Sequence, residues 1–194
     1  MDARELNRLL SELRRGSDDD LRARFARSLP FADALFDRWE RARRLGFGPD
    51  ASVYDSASVF GDVSVGAKTW IGPNVLLDGS AGPLKIGPHC SISAAVHIYT
   101  HDTVLWAVSG GALGKRTGGV AIGANCHIGA QSVVLPGVTV GDRCVIAANS
   151  LVNRDVPESA IVAGSPARRI GRVEGSGAAT QLVMDRASDE AAKD

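Results

Sequence analysis

An excess of charge of either sign is lacking in this sequence of 194 residues, which contains 22 lysines and arginines and 22 aspartates and glutamates. Proteins that bind nucleic acids or anionic membrane surfaces usually carry a basic excess. We therefore expect no nucleic-acid partner.

Long hydrophobic runs are also lacking. No run approaches the roughly 18 apolar residues that are needed to span a bilayer, so we expect no membrane insertion. The start of the chain, from Met1 to Arg15, is charged and lacks the apolar core of a secretory signal peptide. These features predict a cytoplasmic protein.

Cysteine is scarce, with only Cys90, Cys126 and Cys144. An odd number of cysteines without a secretion signal argues against a disulfide framework. We expect reduced thiols that fill small positions in a protein core.

What the sequence does contain is a six-residue repeat. Isoleucine, leucine or valine occupies the first position of fourteen hexads, with a three-residue slip after the fifth hexad and a longer interruption after the eighth. These first positions are Val53, Val59, Val65, Ile71, Leu77, Ile86, Ile92, Ile98, Ile122, Ile128, Val134, Val140, Ile146 and Val152. Glycine often follows the aliphatic residue, and the fifth position is mostly small or β-branched and includes all three cysteines.

A period of six fits a short strand, a turn and another short strand, with one aliphatic side chain pointing inward. Three hexads close one triangular coil of about 18 residues, and successive coils stack at the strand spacing of about 4.8 Å. The sequence therefore predicts a mainly β protein, a parallel β-helix, over residues 51–172.

The two ends of the chain depart from the repeat. Residues 1–50 are predicted to be helical, with a capping box at Ser17 and Asp20 that starts a second helix and a third helix over residues 32–45. This segment would cap the open edge of the solenoid or border an acceptor site. Residues 173–194 are predicted to be a flexible tail.

The long interruption of the repeat predicts a protruding, glycine-rich loop over residues 102–120. A large excursion from a regular scaffold is a typical place for function. The loop begins immediately after His101, so an imidazole stands at its mouth. Asp102 is a candidate for orienting this imidazole.

The repeat, the segment His97-Ile98-Tyr99-Thr100-His101-Asp102 and the ending Ala163-Gly164-Ser165-Pro166-Ala167-Arg168 resemble the hexapeptide-repeat acyltransferases. The branch that they resemble is the maltose/galactoside O-acetyltransferases, with relatives in polysaccharide biosynthesis. The resemblance covers about residues 45–172. It implies a left-handed β-helix, acetyl-CoA as co-substrate, no metal, and a homotrimer whose acetyl-CoA groove lies between two subunits.

The resemblance also implies roles for individual residues. His101 matches the catalytic base of the family. The positions that contact the coenzyme map onto Ala130, Ala148, Asn153, Arg154 and Arg168, with Arg169 and Arg172 nearby. Guanidinium groups suit the phosphates of coenzyme A. His127 stands where galactoside-type members carry a tryptophan, and it is a candidate for lining the groove.

The acceptor site follows the family less closely, because the Asn-x-Asn motif of galactoside-type members is replaced by Ile71-Gly72-Pro73-Asn74. Asn74, Asp78, Asp102 and Trp106 are the candidate acceptor contacts. Asn74 and Asp78 also suit simple corner turns.

These observations predict direct O-acetylation of a sugar or glycan-precursor hydroxyl, with a sugar or sugar nucleotide as the acceptor and His101 as general base. Three alternatives stay open. The first is an aminosugar N-acetyltransferase. The second is a zinc enzyme like the γ-type carbonic anhydrases, using His97, His101 and His127. The third is a solenoid that serves only in assembly.

Overall fold

The computed structural model describes residues 2–185 and shows short strands wound into a triangular stack of coils. We name its sides faces 1, 2 and 3 in the order in which the chain visits them. Face 1 has six parallel strands and two antiparallel strands at its upper, C-terminal edge. These are β1 (Ser52–Val53), β3 (Trp70–Ile71), β5 (Ser91–Ile92), β10 (His127–Ile128), β13 (Val145–Ile146), β15 (Ala160–Ala163), β16 (Arg168–Glu174) and β17 (Gln181–Met184).

Faces 2 and 3 share their first two strands, because β2 (Ser58–Val65) and β4 (Leu76–Ile86) run through both faces. Face 2 continues with β6 (His97–Tyr99), β11 (Val133–Val134) and β14 (Leu151–Val152). Face 3 continues with β9 (Val120–Ile122) and β12 (Thr139–Val140). The first corner lies between faces 1 and 2, and the second corner lies between faces 2 and 3.

The first hexad positions form the core of the stack. All fourteen are buried except Val59, which is partly buried against the same cluster. In face 1 they stack in register from coil to coil, as Ile71 on Ile92 and Ile128 on Ile146 show. The parallel β-helix predicted from the repeat is therefore confirmed.

Glycine at the second hexad position has a steric cause. A Cβ atom on Gly129 would lie 2.4 Å from the backbone nitrogen of Ala148 in the next coil. Coils stack too closely here for any side chain, so the repeat requires glycine.

The three cysteines are buried and unpaired by disulfides, as predicted. Each thiol donates to a backbone carbonyl in the following coil, at 3.1 Å from Cys90 to Gly123, 3.1 Å from Cys126 to Gly141 and 3.0 Å from Cys144 to Pro157. Contacts with the neighbouring thiols and burial raise the pKa of Cys126. These groups are structural thiols of the core.

The helical segment consists of α1 (Ala3–Phe25), α2 (Phe31–Leu35) and α3 (Arg38–Arg44). The predicted helix start at Ser17 is wrong, because α1 runs through it. The side chain of Asp2 caps α1 instead, accepting the Glu5 N–H at 2.8 Å. The predicted third helix is divided, because Asp37 caps a new helix by accepting the Glu40 N–H at 2.7 Å. No helix within residues 2–185 is both long and apolar enough to cross a bilayer.

Helices α2 and α3 cover the first coil. Arg41 donates to the carbonyls of Tyr54 and Ala57, the latter at 2.8 Å, and Asp33 Oδ1 accepts the Ser56 N–H at 2.9 Å. These contacts satisfy backbone groups at the open edge of the stack. By contrast, α1 has no buried residue.

The flexible tail predicted over residues 173–194 is not what the structure shows over residues 173–185, which are the part of it that the structure describes. Residues 173–185 include the end of β16, a 3₁₀ turn at Gly177–Ala179 and β17, rather than an irregular chain. The antiparallel pairing of β17 with β16 extends face 1, and the composition of this segment gave no sign of it. Residues 186–194 lie outside the described residues.

Leu77 offers a test of the core because it is completely buried in face 2. We expect Leu77→Ala to lower the free energy of unfolding by about 2–5 kcal/mol, because it removes buried methyl groups and leaves a cavity. The matched control is Leu113→Ala, whose side chain is exposed in the loop. Denaturant unfolding at one protein concentration measures both, and equal stability of the two variants would contradict the assignment.

Candidate active site

The interruption of the repeat forms a hairpin at the second corner. Strands β7 (His101–Asp102) and β8 (Arg116–Thr117) pair antiparallel, and the short helix α4 (Val104–Val108) lies between them. Asp102 Oδ2 accepts from Arg116 Nε at 2.8 Å, and Oδ1 accepts the Val104 N–H at 3.1 Å. Asp102 is thus engaged in holding the loop, while Trp106 on α4 is exposed.

The carboxylate beside the imidazole is that of Asp78. Nδ1 of His101 lies 3.2 Å from Oδ2 of Asp78, and the Asp78 side chain is 9% exposed. Nδ1 is buried and makes no aligned hydrogen bond among the described residues, and its one contact with an acidic group there is the contact with Asp78. The His101 side chain keeps 27% of its surface exposed, which leaves Nε2 as the ring nitrogen open to a substrate.

Two hydroxyl side chains hold this pair in place. Ser80 donates to Asp78 Oδ1 through its N–H at 3.0 Å and its hydroxyl at 2.6 Å. The buried Thr100 hydroxyl donates to the Asp78 carbonyl at 2.8 Å and accepts the Ala81 N–H at 3.2 Å. The coil that carries Asp78 is therefore tied to the coil that carries His101.

A cleft of about 230 Å³ lies at the top of the second corner, between the turn after β14 and the start of β16. Its walls include Asn153, Arg154, Arg168 and Arg169, so three of the predicted coenzyme contacts meet there. No carboxylate pairs with Arg154 or Arg168 within residues 2–185, whereas Arg169 lies 3.5 Å from Asp185. Arg172 pairs with Glu174 on the C-terminal strands. The cleft thus presents two guanidinium groups that make no ion pair among the described residues, although Asp155 also lines it and Arg168 donates to the Ala167 carbonyl at 2.9 Å.

Ala130 and Ala148 lie at the first corner, in adjacent coils. The Asn149 N–H donates to the Ala130 carbonyl at 2.9 Å, which stacks the two turns. Within the described chain, neither the Ala130 N–H nor the Ala148 N–H has a hydrogen-bond partner. The first corner therefore presents two free backbone donors one coil apart.

Other candidates are not brought to His101 within one protomer. Asn74 is an exposed corner residue with φ +56° at the first corner, and its N–H donates to Ser56. His127 is exposed on face 1, and His97 contacts the Tyr99 hydroxyl at 3.2 Å through Nδ1. One protomer thus does not place His97, His101 and His127 around one point. No metal-holding group of three histidine, cysteine or acidic side chains occurs in residues 2–185.

Sequence reasoning missed the residues that support the site. Ser80 could have been found, because Asp78-Gly79-Ser80 is a typical stretch for an aspartate that accepts from the chain two residues on. Thr100 and Arg116 carried no comparable signal, because their partners are 22 and 14 residues away.

Comparison with known proteins gives a consistent classification. Residues 119–154 match the family model described as bacterial transferase hexapeptide (six repeats). A hexapeptide-repeat acetyltransferase of Vibrio cholerae O1 biovar eltor, solved with acetyl coenzyme A, is 30% identical, with 85% of this chain and 89% of that chain covered and a TM-score of 0.62. A maltose O-acetyltransferase of Clostridium difficile 630 is 25% identical, with 86% and 89% covered and a TM-score of 0.57.

Among curated proteins, Protein CapG of Staphylococcus aureus is 39% identical over 97 residues, which are 47% of this chain and 54% of CapG. The chain spans about half to two thirds of the length of the first such relatives that it matches. The chain belongs to the hexapeptide-repeat acyltransferases, and its fold is their left-handed parallel β-helix.

Thr100 gives a test of how the site is supported. We expect Thr100→Val to lower the free energy of unfolding by about 1–3 kcal/mol, because it leaves the Ala81 N–H without an acceptor and removes one of the two hydrogen bonds to the Asp78 carbonyl, which keeps the backbone N–H of residue 100. Thr117→Val is the matched control, since Thr117 is exposed on β8. If thermal and denaturant unfolding do not separate the two variants, Thr100 does not tie the coils together.

Proposed function

We propose that this protein is an acetyltransferase that moves the acetyl group of acetyl-CoA to a hydroxyl of a sugar or glycan precursor, with His101 as general base. The observation that carries the proposal is the His101–Asp78 pair at the mouth of the loop. A buried carboxylate 3.2 Å from Nδ1 favours the tautomer with its proton on Nδ1 and a free electron pair on Nε2.

In this mechanism Nε2 takes the proton of the acceptor hydroxyl as its oxygen attacks the thioester carbonyl. The imidazolium that forms is stabilised by the Asp78 carboxylate, which Ser80 holds through Oδ1. The proton is then available to the departing thiolate of coenzyme A. Transfer is direct, so no covalent enzyme intermediate is required, and holding both substrates together supplies much of the rate gain.

The residues present fit acetyl-CoA. Arg154 and Arg168 flank a cleft and make no ion pair within residues 2–185, which suits the phosphates of the coenzyme. The free N–H groups of Ala130 and Ala148 suit carbonyl oxygens of the pantetheine arm or the developing oxyanion. The Vibrio cholerae relative was solved with acetyl coenzyme A, which supports the same co-substrate here.

The two sets of coenzyme residues lie at different corners of one protomer. One acetyl-CoA reaches both sets when the first corner of one protomer lies against the second corner of the next. Repeating this contact around a threefold axis closes a homotrimer with three equivalent sites. Face 2 would line the axis, and its outward side chains Leu76, Val133 and Leu151 are partly buried aliphatic groups that suit such an interface.

The likeness to the maltose O-acetyltransferase of Clostridium difficile supports a sugar hydroxyl as acceptor. Asp78, which lies beside His101, and Trp106, which is exposed on the loop, are the proposed acceptor contacts.

Free-thiol release from acetyl-CoA over a panel of sugars, nucleotide sugars and aminosugars tests the proposal. We expect acceptor-dependent release that falls about 100-fold or more in His101→Ala, as for a lost general base. His89→Ala is the matched control, because His89 is an exposed corner residue with φ +56°.

Two results would contradict this account. Equal turnover by His101→Ala and His89→Ala with hydroxyl acceptors would remove the base assignment. Turnover restricted to aminosugars and retained in His101→Ala would replace O-acetylation by N-acetylation.

A further inference from the structure

The large apolar side chains that stay exposed in one protomer are concentrated in two places. Of seventeen such side chains within residues 2–185, nine belong to the helical segment of residues 1–50 and five to the loop of residues 102–120. The β-helix and its C-terminal strands expose only three over the same part of the chain. Exposed apolar surface that is concentrated in this way is typical of an interface.

The loop presents its apolar side chains on a stretch without charge, because residues 103–114 contain no charged residue. Val104, Leu105 and Val108 are spaced to share one side of α4, and their exposed fractions are 60%, 47% and 77%. We name these three residues the apolar knob. By the same helical spacing, Trp106 lies on the opposite side of α4, which leaves it for the proposed acceptor contact.

The helical segment carries a cavity with an apolar rim. This helical cavity has a volume of about 550 Å³ and lies between α1, α2, the start of α3 and the first-corner residue Tyr54. Its lining includes Phe25, Phe36 and Trp39, and all three rings are exposed. It therefore offers aromatic surface that residues 2–185 of the same protomer leave uncovered.

The charged groups around the helical cavity are already engaged within the protomer. All four aspartates of the lining have a hydrogen-bond or ion-pair partner. The pairs are Asp20 with Arg24, Asp33 with the Ser56 N–H, Asp37 with the Glu40 N–H and Asp55 with Arg41. The three lining arginines lie over the Phe25 or the Trp39 ring. An uncharged apolar partner therefore suits the cavity better than a charged one.

The positions of the two surfaces in the fold match the threefold arrangement proposed above. The helical cavity adjoins the first corner in the coil of β2, and the loop leaves the second corner in the coil of β6. These coils are two apart in the stack, which is about 10 Å at the strand spacing and about one helix diameter. A first corner that lies against a neighbour's second corner thus sets the helical segment beside the neighbour's loop.

We propose that the apolar knob of one protomer docks into the helical cavity of the next. The proposal rests on the proposed function in one respect, which is the placement of the first corner against the second corner of the neighbour. The helical segment is then a clasp that holds the neighbour's loop beside the neighbour's His101. It has this role in addition to covering the first coil of its own stack.

Cross-linking between chains tests the contact. Phe36→Cys and Leu105→Cys are made in separate chains, the two chains are co-expressed, and a short bismaleimide is added to the purified protein. We expect a covalent dimer from the mixture and none from either variant alone, because the three native cysteines are buried. The matched control pairs Leu105→Cys with Leu182→Cys, which is exposed on β17 at the upper edge of face 1, and should give no dimer.

The outcomes of cross-linking separate this contact from the proposed function. Trimers that form by mass measurement without a covalent dimer in the mixture would overturn the contact and leave acetyl transfer at His101 standing. A dimer from Phe36→Cys alone would overturn it in favour of pairing between two helical segments. A protein that stays monomeric would refute the contact and the shared site together, and turnover of acetyl-CoA by that monomer would still report on His101.

Trimer dissociation on dilution measures the same contact as an energy. We expect Trp39→Ala and Leu105→Ala each to weaken association about 10-fold per interface, and the double variant to be no weaker than the weaker single variant, because both remove one contact. Leu182→Ala should associate like the wild type. Both test residues lie outside the core, and circular dichroism checks that each variant folds. Fully additive losses would contradict a direct contact.

Discussion

The stacking of inward aliphatic side chains from coil to coil is the interaction on which the rest of this structure depends. Each first-position residue, such as Ile128, packs between equivalent residues of the coils below and above, while backbone hydrogen bonds join the same coils. Burial of these side chains stabilises the stack, and the backbone hydrogen bonds between coils set the spacing of the coils. Every corner is thereby placed at a fixed height, so side chains distant in sequence meet with defined geometry. The contact between Asp78 and His101 is a direct result, because β4 and β6 are neighbours in face 2.

The stack also explains how a long loop is accommodated. Thr100 is the last buried residue before the excursion, and Val120 resumes the core on face 3. The loop is closed at its base by β7 and β8 and by the Asp102–Arg116 pair, so its insertion leaves the aliphatic columns in register. A rigid base with an exposed apolar tip is suited to shaping a site, while the imidazole at its foot stays fixed.

The repeat made the fold predictable from the sequence, because one aliphatic residue in six reports both strand position and burial. It placed the cysteines correctly for the same reason. The helix boundaries were less predictable, since Ser17 has a capping pattern but α1 continues through it with pairs such as Asp18–Arg22. At the site, His101 was visible because it adjoins the interruption. The proximity of Asp78 to His101 was not visible in the sequence. Which residues of neighbouring coils pair depends on the three-residue slip and on the loop, and spacing along the sequence does not resolve their effect.

We propose that the acetyl-CoA site is shared, with His101 from the second corner of one protomer and Ala130 and Ala148 from the first corner of the next. Mixing two inactive variants tests it most directly. His101→Ala removes the base, and Ala148→Trp fills the groove at an exposed position outside the core. In randomly mixed trimers, an intact site forms where the second corner of an Ala148→Trp protomer, which keeps His101, meets the first corner of a His101→Ala protomer, which keeps Ala148. Each of the two protomers is the required variant about half of the time, so activity should return to about a quarter of the wild-type value. Mixed trimers that form, as shown by mass measurement, but stay inactive would contradict the account and place the whole site in one protomer.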